Sequence, residues 1–156
     1  MKYNMDNPES DYNFQTVDPG RLYRSAQPSG SFLEYVKDKY GIKTVVDLRS
    51  NIEYSERIVA KEKGMLLLHF PVKTGFRKKD REGIRLFLKM FENPESLPVL
   101  VHCRKGVDRT GVFVALYRAS VQKQDEKLAI KEAEGRKINL YWKIILKLML
   151  KFKIFK

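Results

Sequence analysis

The chain has 156 residues, of which 32% are charged, and its net charge is +12 at pH 7. This length allows one domain with a hydrophobic core, and the charge favours an anionic partner without distinguishing phosphorylated metabolites, nucleic acid and acidic membranes. One cysteine excludes an internal disulfide framework, and the polar N-terminal residues lack the apolar segment of a signal peptide, so we expect a cytoplasmic protein.

The N-terminal part of the chain is predicted to hold a flexible arm, a tight turn and a helix. Residues 1–13 are polar and form the expected arm. The turn is predicted at residues 18–20, because the sequence Asp-Pro-Gly there separates two short apolar runs. Ser31 is the expected N-cap of a helix over residues 32–39.

Short apolar runs then alternate with longer amphipathic stretches. The predicted strands cover residues 43–48, 65–70 and 99–102, and the predicted helices cover residues 51–63, 82–92, 109–122, 124–134 and 139–155. This alternation predicts an α/β fold, with a central, largely parallel sheet of four to five strands flanked by helices. Ligands of such sheets bind at the carboxyl ends of the strands, and the cysteine follows the last predicted strand directly.

The sequence VHCRKGVDRTG at residues 101–111 places Cys103 between a buried strand and a helix. A tight turn there can direct backbone N–H groups inward, and the helix N-terminus adds positive charge, so a phosphate and a nucleophilic thiolate are both stabilised. Arg109 can bind two phosphoryl oxygens, Gly106 lets the backbone curl, and the Thr110 hydroxyl can hydrogen-bond the sulfur. The predicted phosphate cradle is Arg104, Lys105, Gly106, Val107, Asp108 and Arg109. The pattern predicts hydrolysis of phosphate monoesters through a phosphocysteine, with no metal or cofactor.

The stretch HCRKGVDRTG resembles the His-Cys-(five residues)-Arg-Thr/Ser signature of the cysteine-dependent protein tyrosine and dual-specificity phosphatase superfamily. VDPGRLYRSAQPS and GIKTVVDLRSNIEYSER are similar to small bacterial members and to the atypical dual-specificity branch, so the resemblance covers roughly residues 14–120. It implies a dual-specificity-phosphatase-like fold and a single phosphatase domain over residues 14–156. His102 is expected to support the nucleophile by orienting the loop.

A carboxylic acid is expected near the cysteine, because the leaving oxygen usually needs a proton. The resemblance implies an Asp on a loop that precedes the cysteine, and Asp80 is the candidate there, although it could instead cap the helix predicted at residues 82–92. Asp108 lies inside the cysteine loop. The sequence GVDRT around Asp108 is similar to that of myotubularin-type lipid phosphatases and of bacterial phosphatases with GKDRTG, in which an Asp at this position acts as the acid. Asp108 is preferred, and its alternative role is to hold the loop by accepting hydrogen bonds.

Basic residues around the loop indicate a substrate that carries several phosphates. The predicted substrate rim is Lys73, Arg77, Lys78 and Lys79. We therefore expect a phosphorylated anionic substrate, by preference an inositol polyphosphate or phosphoinositide. A phosphotyrosine protein is the alternative, with Phe76 as an aromatic wall. A phosphate-binding module without turnover is the alternative of another class, and no nucleic-acid partner is expected, because no basic motif interleaved with aromatic residues supports one.

The C-terminal stretch NLYWKIILKLMLKFKIFK is apolar except for regularly spaced lysines. Lys143, Lys147 and Lys151 recur every fourth residue and form one stripe of a helix. We expect this helix to pack along the sheet with its lysines outward. The alternative is contact of residues 139–156 with an anionic membrane surface.

Overall fold

The computed structural model describes residues 7–156 and has a five-stranded sheet at its centre. The strands are β1 (Gln15–Asp18), β2 (Leu22–Ser25), β3 (Thr44–Asp47), β4 (Leu66–His69) and β5 (Val99–His102). Their order across the sheet is β1-β2-β5-β3-β4, and β1 runs antiparallel to β2 while the other pairs are parallel. The predicted α/β fold with a largely parallel sheet is therefore confirmed.

Seven α-helices and two short 3-10 helices are found among the described residues. The α-helices are α1 (Pro8–Asp11), α2 (Gly30–Tyr40), α3 (Tyr54–Glu62), α4 (Lys78–Lys89), α5 (Asp108–Ser120), α6 (Glu126–Gly135) and α7 (Leu140–Phe152). The 3-10 helices are Met90–Glu92 and Pro94–Ser96. The predicted helices at residues 32–39, 51–63, 109–122, 124–134 and 139–155 correspond to α2, α3, α5, α6 and α7.

The two faces of the sheet bury different sets of helices, because successive strand residues point to opposite sides. Val45 and Leu100 pack with α2 and α3 on one face. Val46 and Val101 pack with α4, α5, α6 and α7 on the other. Helix α5 is buried from Thr110 to Tyr117, so the helix that follows the cysteine loop lies in the middle of the larger layer.

Four predicted helix starts are wrong by two to four residues, and two of these errors concern residues that were assigned a role. The N-cap of α2 is Ser29, whose hydroxyl accepts a hydrogen bond from the Phe32 amide at 3.1 Å, while Ser31 lies inside the first turn. Helix α4 begins at Lys78 and not at residue 82, so Asp80 lies within its first turn and does not precede the helix.

The predicted flexible arm is wrong for the part that the structure describes. Residues 1–6 lie outside the described residues, but residues 7–13 contain α1 and contact the domain. The Glu9 carboxylate accepts hydrogen bonds from the Tyr35 hydroxyl at 3.0 Å and from the Lys39 ammonium at 2.8 Å. These bonds to α2 hold the segment in place.

The apolar residues of helix α7 pack into the larger core cluster, where the helix contacts α5 and α6. Trp142, Leu146 and Met149 are buried, whereas Lys147 and Lys151 are exposed. Within residues 7–156, we find no helix with the length and apolar character that would let it cross a bilayer. Contact of this helix with an anionic membrane surface stays a prediction.

Candidate active site

An open pocket of about 340 Å³ lies at the edge of the sheet where β5 ends. Three segments line it: the loop after β3, the loop from β5 into α5, and the start of α7. The lining residues are Arg49, Ser50, Asn51, Cys103, Arg104, Lys105, Asp108, Arg109 and Trp142. The pocket therefore contains the predicted nucleophile and much of the predicted phosphate cradle.

The cysteine loop curls tightly against the chain that follows β2. Cys103 is the first residue after β5 and is 5% exposed. Gly106 has φ +73°, and a Cβ atom there would lie 2.6 Å from the carbonyl carbon and oxygen of Ser25. The Gln27 amide donates a hydrogen bond to the Arg104 carbonyl at 3.0 Å. Glycine is required at position 106 both by this conformation and by this close approach.

A buried arginine supports the loop from within the sheet. Arg24 lies on β2 and is 2% exposed, and its Nη2 donates a 2.8 Å hydrogen bond to the Gly106 carbonyl. Burial lowers the pKa of Arg24 to about 10, and Arg136 acts in the same direction, while the charges of Glu132 and Cys103 oppose the shift. Arg24 was not among the residues predicted from the sequence. An arginine inside the apolar run LYRS was the available signal, because buried strands rarely hold a charge without a partner.

Arg109 is positioned by two elements that are remote from it in sequence. Its guanidinium carbon lies 5.8 Å from the centroid of the Trp142 ring, and its Nη1 donates to the Leu48 carbonyl at 3.4 Å. A guanidinium over an aromatic face is attracted to it and loses freedom of movement. Trp142 was also missed, since an aromatic residue in an apolar helix carries no signal of a site.

Asp108 joins the start of α5 to the start of α7. Its Oδ1 accepts a hydrogen bond from the Asn139 amide at 2.8 Å, and its Oδ2 accepts one from the Asn139 side chain at 3.2 Å. Asn139 in turn caps α7 by accepting from the Trp142 amide at 2.9 Å. Asp108 is thus a pocket carboxylate and also a tether.

The structure does not bring Asp80 to the pocket. Asp80 is 1% exposed and accepts hydrogen bonds from the backbone amides of Lys73, Thr74 and Gly75 and from the Arg77 guanidinium. Burial raises its pKa, but Arg77 and these amides outweigh that effect and hold the pKa below its usual range. Asp80 is therefore held as an ionised anchor of the preceding loop.

This anchoring also keeps the residues of the predicted substrate rim off the pocket lining. Lys73, Arg77, Lys78 and Lys79 do not line the pocket, because Asp80 draws their loop onto the first turn of α4. Phe76 packs against the core and does not form the aromatic wall. The loop after β3 lines the pocket instead, with Arg49, Ser50 and Asn51.

Three other predicted residues of the loop lie off the pocket lining. Gly106 and Val107 contribute backbone to the curl rather than side chains to the pocket. Thr110 is fully buried, and among the described residues its hydroxyl has no hydrogen-bond partner. No hydrogen bond joins this hydroxyl to Cys103 within residues 7–156.

A buried polar cluster lies next to the nucleophile. His102 is fully buried, its Nε2 is hydrogen-bonded to Glu56, and its Nδ1 lies 3.3 Å from the Cys103 carbonyl oxygen. Asp47 is also fully buried, and it accepts a hydrogen bond from the Arg49 amide at 2.7 Å. Burial raises the pKa of Asp47 to about 6, with His102 lowering it and the charge of Glu56 raising it.

The comparison with protein families decides the chain's affiliation. A family model described as DSP-PTPase phosphatase fused to NAD+ kinase matches residues 5–141. The chain belongs to this family. The resemblance to the cysteine-dependent protein tyrosine and dual-specificity phosphatase superfamily is thereby confirmed.

Two curated relatives are similar in sequence. The dual specificity protein phosphatase TpbA of Pseudomonas aeruginosa is 31% identical over 128 residues, and the match covers 77% of this chain and 56% of TpbA. The inositol diphosphatase DSP4 of Arabidopsis thaliana is 34% identical over 114 residues, and the match covers 68% of this chain and 54% of DSP4. The chain spans only a little over half the length of these relatives.

Solved structures show the same fold. The crystal structure of TpbA superposes with a TM-score of 0.76 at 24% identity and covers 94% of this chain and 90% of that chain. The core catalytic domain of the PP-IP phosphatase SIW14 from S. cerevisiae, in complex with citrate, superposes with a TM-score of 0.72 at 20% identity. That superposition covers 92% of this chain and 94% of the SIW14 domain.

Gly106→Ala should destabilise the chain by at least about 2 kcal/mol, because the added methyl group overlaps the Ser25 backbone at a φ that alanine disfavours. Urea denaturation measures this free energy of unfolding. Gly135→Ala is the matched control, since a Cβ there meets nothing within 4 Å. Equal stability of the two variants would contradict the tight curl of the cysteine loop.

Asp47→Asn should make the chain progressively more stable than the native chain as the pH rises. The folded-state pKa of Asp47, about 6, exceeds its ordinary value of 3.8, so the native chain loses stability as the pH rises through that interval. The variant has no proton to lose there, and its advantage should grow by up to about 3 kcal/mol between about pH 4 and pH 7. Urea denaturation across this range measures the difference, with Asp38→Asn on the surface as control. A difference that does not change with pH would refute the assignment.

Proposed function

We propose that this chain hydrolyses phosphate monoesters through a phosphocysteine intermediate. The observation that carries the proposal is the environment of Cys103, which lines a pocket together with four cationic side chains. These are Arg49, Arg104, Lys105 and Arg109. Membership of a dual-specificity phosphatase family supports the same chemistry. A phosphoryl group that enters this pocket meets positive charge and a sulfur nucleophile together.

The reaction proceeds in two displacements at phosphorus. The Cys103 thiolate attacks the phosphorus atom, a P–S bond forms, and the P–O ester bond breaks with its electron pair passing to the leaving oxygen. Water then attacks phosphorus, the P–S bond breaks, and the thiolate and inorganic phosphate are released. Arg109 binds two phosphoryl oxygens and stabilises the charge that develops on them.

Asp108 is the proposed general acid. Among residues 7–156, it is the carboxylic acid that lines the pocket, whereas Asp80 is buried away from the pocket and paired with Arg77. A proton on Asp108 passes to the leaving oxygen as the P–O bond breaks. The carboxylate then accepts a proton from the attacking water in the second displacement.

The preferred substrate class is an inositol polyphosphate or a phosphoinositide. Arg49, Arg104 and Lys105 provide positive charge beyond what one phosphate bound by Arg109 requires, so they suit additional phosphates. The printed names of DSP4, an inositol diphosphatase, and SIW14, a PP-IP phosphatase, support this choice. Phosphotyrosine protein is the second candidate, because Trp142 supplies an aromatic surface in the pocket and TpbA is named a dual specificity protein phosphatase.

The native chain should release phosphate from an inositol polyphosphate faster than from a phosphotyrosine peptide, and a phosphoinositide vesicle should rank with the former. Phosphate release is measured with each substrate in parallel in the presence of EDTA. Cys103→Ser should abolish release from all three, because a serine hydroxyl at this position is a far weaker nucleophile than a thiolate.

Release that persists in Cys103→Ser would refute the phosphocysteine mechanism. If the chain binds phosphate but releases none from any substrate, it is a phosphate-binding module without turnover and not an enzyme. A faster reaction with the phosphotyrosine peptide would make the second substrate class the correct one.

Asp108→Asn should slow hydrolysis of an alkyl phosphate by about 100-fold and that of p-nitrophenyl phosphate much less, because only the poor leaving group needs a proton. Asn139→Ala is the matched control, since it removes the side-chain bond to Asp108 and the cap of α7 but keeps the Asn139 backbone bond and the Asp108 carboxyl group. Asp80→Asn should lower stability without this dependence on the leaving group. An equal loss in Asn139→Ala and Asp108→Asn would show that Asp108 acts as the tether alone.

A further inference from the structure

Glu56 and His102 form a buried, hydrogen-bonded pair outside the pocket. Glu56 lies on α3 and His102 ends β5, and both side chains are fully buried. The protonation states of a buried carboxylate and a buried imidazole in direct contact depend on each other, because neither group has water to compensate its charge.

The contacts of the His102 ring favour its protonated form. Its Nε2 is hydrogen-bonded to Glu56, and its Nδ1 lies 3.3 Å from the carbonyl oxygen of Cys103. A carbonyl oxygen can only accept, so Nδ1 donates to it, and an ionised Glu56 leaves Nε2 to donate as well. An imidazole that donates from both nitrogens is an imidazolium.

Other contacts keep the negative charge on Glu56. The Gln27 side-chain amide donates to the second carboxylate oxygen of Glu56 at 3.3 Å. Burial raises the pKa of Glu56, but the contact with His102 and the hydrogen bonds from the Asp47 and Gln27 side chains outweigh burial, so that this pKa lies below its usual range. Asp47 is the other carboxylic acid in the cluster, and its raised pKa makes it the one that takes up a proton first.

The polarity of this pair is directed at the nucleophile. His102 carries the positive charge, and its Nδ1 is hydrogen-bonded to the Cys103 carbonyl oxygen. Glu56 carries the negative charge and contacts Nε2 on the opposite side of the ring. Burial reduces the screening of this charge, and a nearby cation stabilises a thiolate. Arg24, whose guanidinium contacts the loop at Gly106, adds positive charge from β2.

We propose that Glu56 is a positioning residue that holds His102 as an imidazolium behind Cys103 and thereby increases the thiolate fraction of the nucleophile. The proposal rests on the proposed function in taking Cys103 as the nucleophile. Glu56 does not line the pocket, and it acts on the site through its contact with His102.

The first test measures how fast iodoacetamide alkylates Cys103 as a function of pH. Glu56→Gln should slow alkylation at about pH 6 by about tenfold, because the neutral amide no longer stabilises the imidazolium. Glu62→Gln, an exposed position on the same helix, is the matched control and should leave the rate unchanged. A folded Glu56→Gln variant that alkylates at the native rate would overturn the proposal.

The second test needs no variant that loses a buried charge, and therefore stands even if Glu56→Gln fails to fold. The chain has two histidines, so ¹⁵N spectra of histidine-labelled protein can be assigned with His69→Gln. The native chain should show His102 with protons on both ring nitrogens at about pH 7, where free imidazole is mostly neutral. A neutral His102 under these conditions would overturn the proposal.

Phosphate release separates this proposal from the proposed function. Fast alkylation that depends on Glu56, in a chain that releases no phosphate from any substrate, would support the Glu56–His102 arrangement and refute the enzyme. Phosphate release that depends on Cys103, with an alkylation rate that is unchanged in Glu56→Gln, would support the enzyme and refute the Glu56–His102 arrangement.

Discussion

The curl of the loop between β5 and α5 is the constraint on which the site depends. The predicted phosphate cradle requires the backbone N–H groups of this loop to point toward one site, and the loop that would form it lies against the backbone of Ser25. Only glycine at position 106 allows this approach, and only a donor below the loop can satisfy the Gly106 carbonyl that the curl turns inward. Arg24 is that donor, and its burial is the energetic cost of the arrangement. The core around α5 supports the loop from its other end, since this helix is buried along most of its length.

Helix α7 completes the pocket from the far end of the chain. Asn139 bonds to Asp108, caps α7 and so determines where Trp142 stands. Trp142 then faces the guanidinium of Arg109. The geometry of the pocket is thereby coupled to the packing of the last helix, and this apolar helix contributes one residue to the pocket lining.

The buried carboxylates of Asp80 and Glu56 have different roles. Asp80 is ionised and compensated by amides and by Arg77, so it organises a loop and has no proton to give. Glu56 is compensated by His102, which borders the nucleophile, so its charge reaches the site through another side chain. Carboxylates of similar burial thus differ in function according to what neutralises them.

The sequence by itself determined what neighbouring residues decide together. The alternation of strands and helices, Cys103 at the end of a strand, Gly106 in the loop and Arg109 at the start of a helix all follow from local order, because strand periodicity, turn geometry and helix starts are short-range properties. The tertiary structure decided which remote side chains meet this loop. Arg24, Arg49 and Trp142 reach it from three other segments, while the lysines predicted as the rim are drawn away by Asp80. Such contacts depend on how the sheet and helices pack. Packing brings together residues that are far apart in the sequence, and sequence separation does not predict which of them will be close in space.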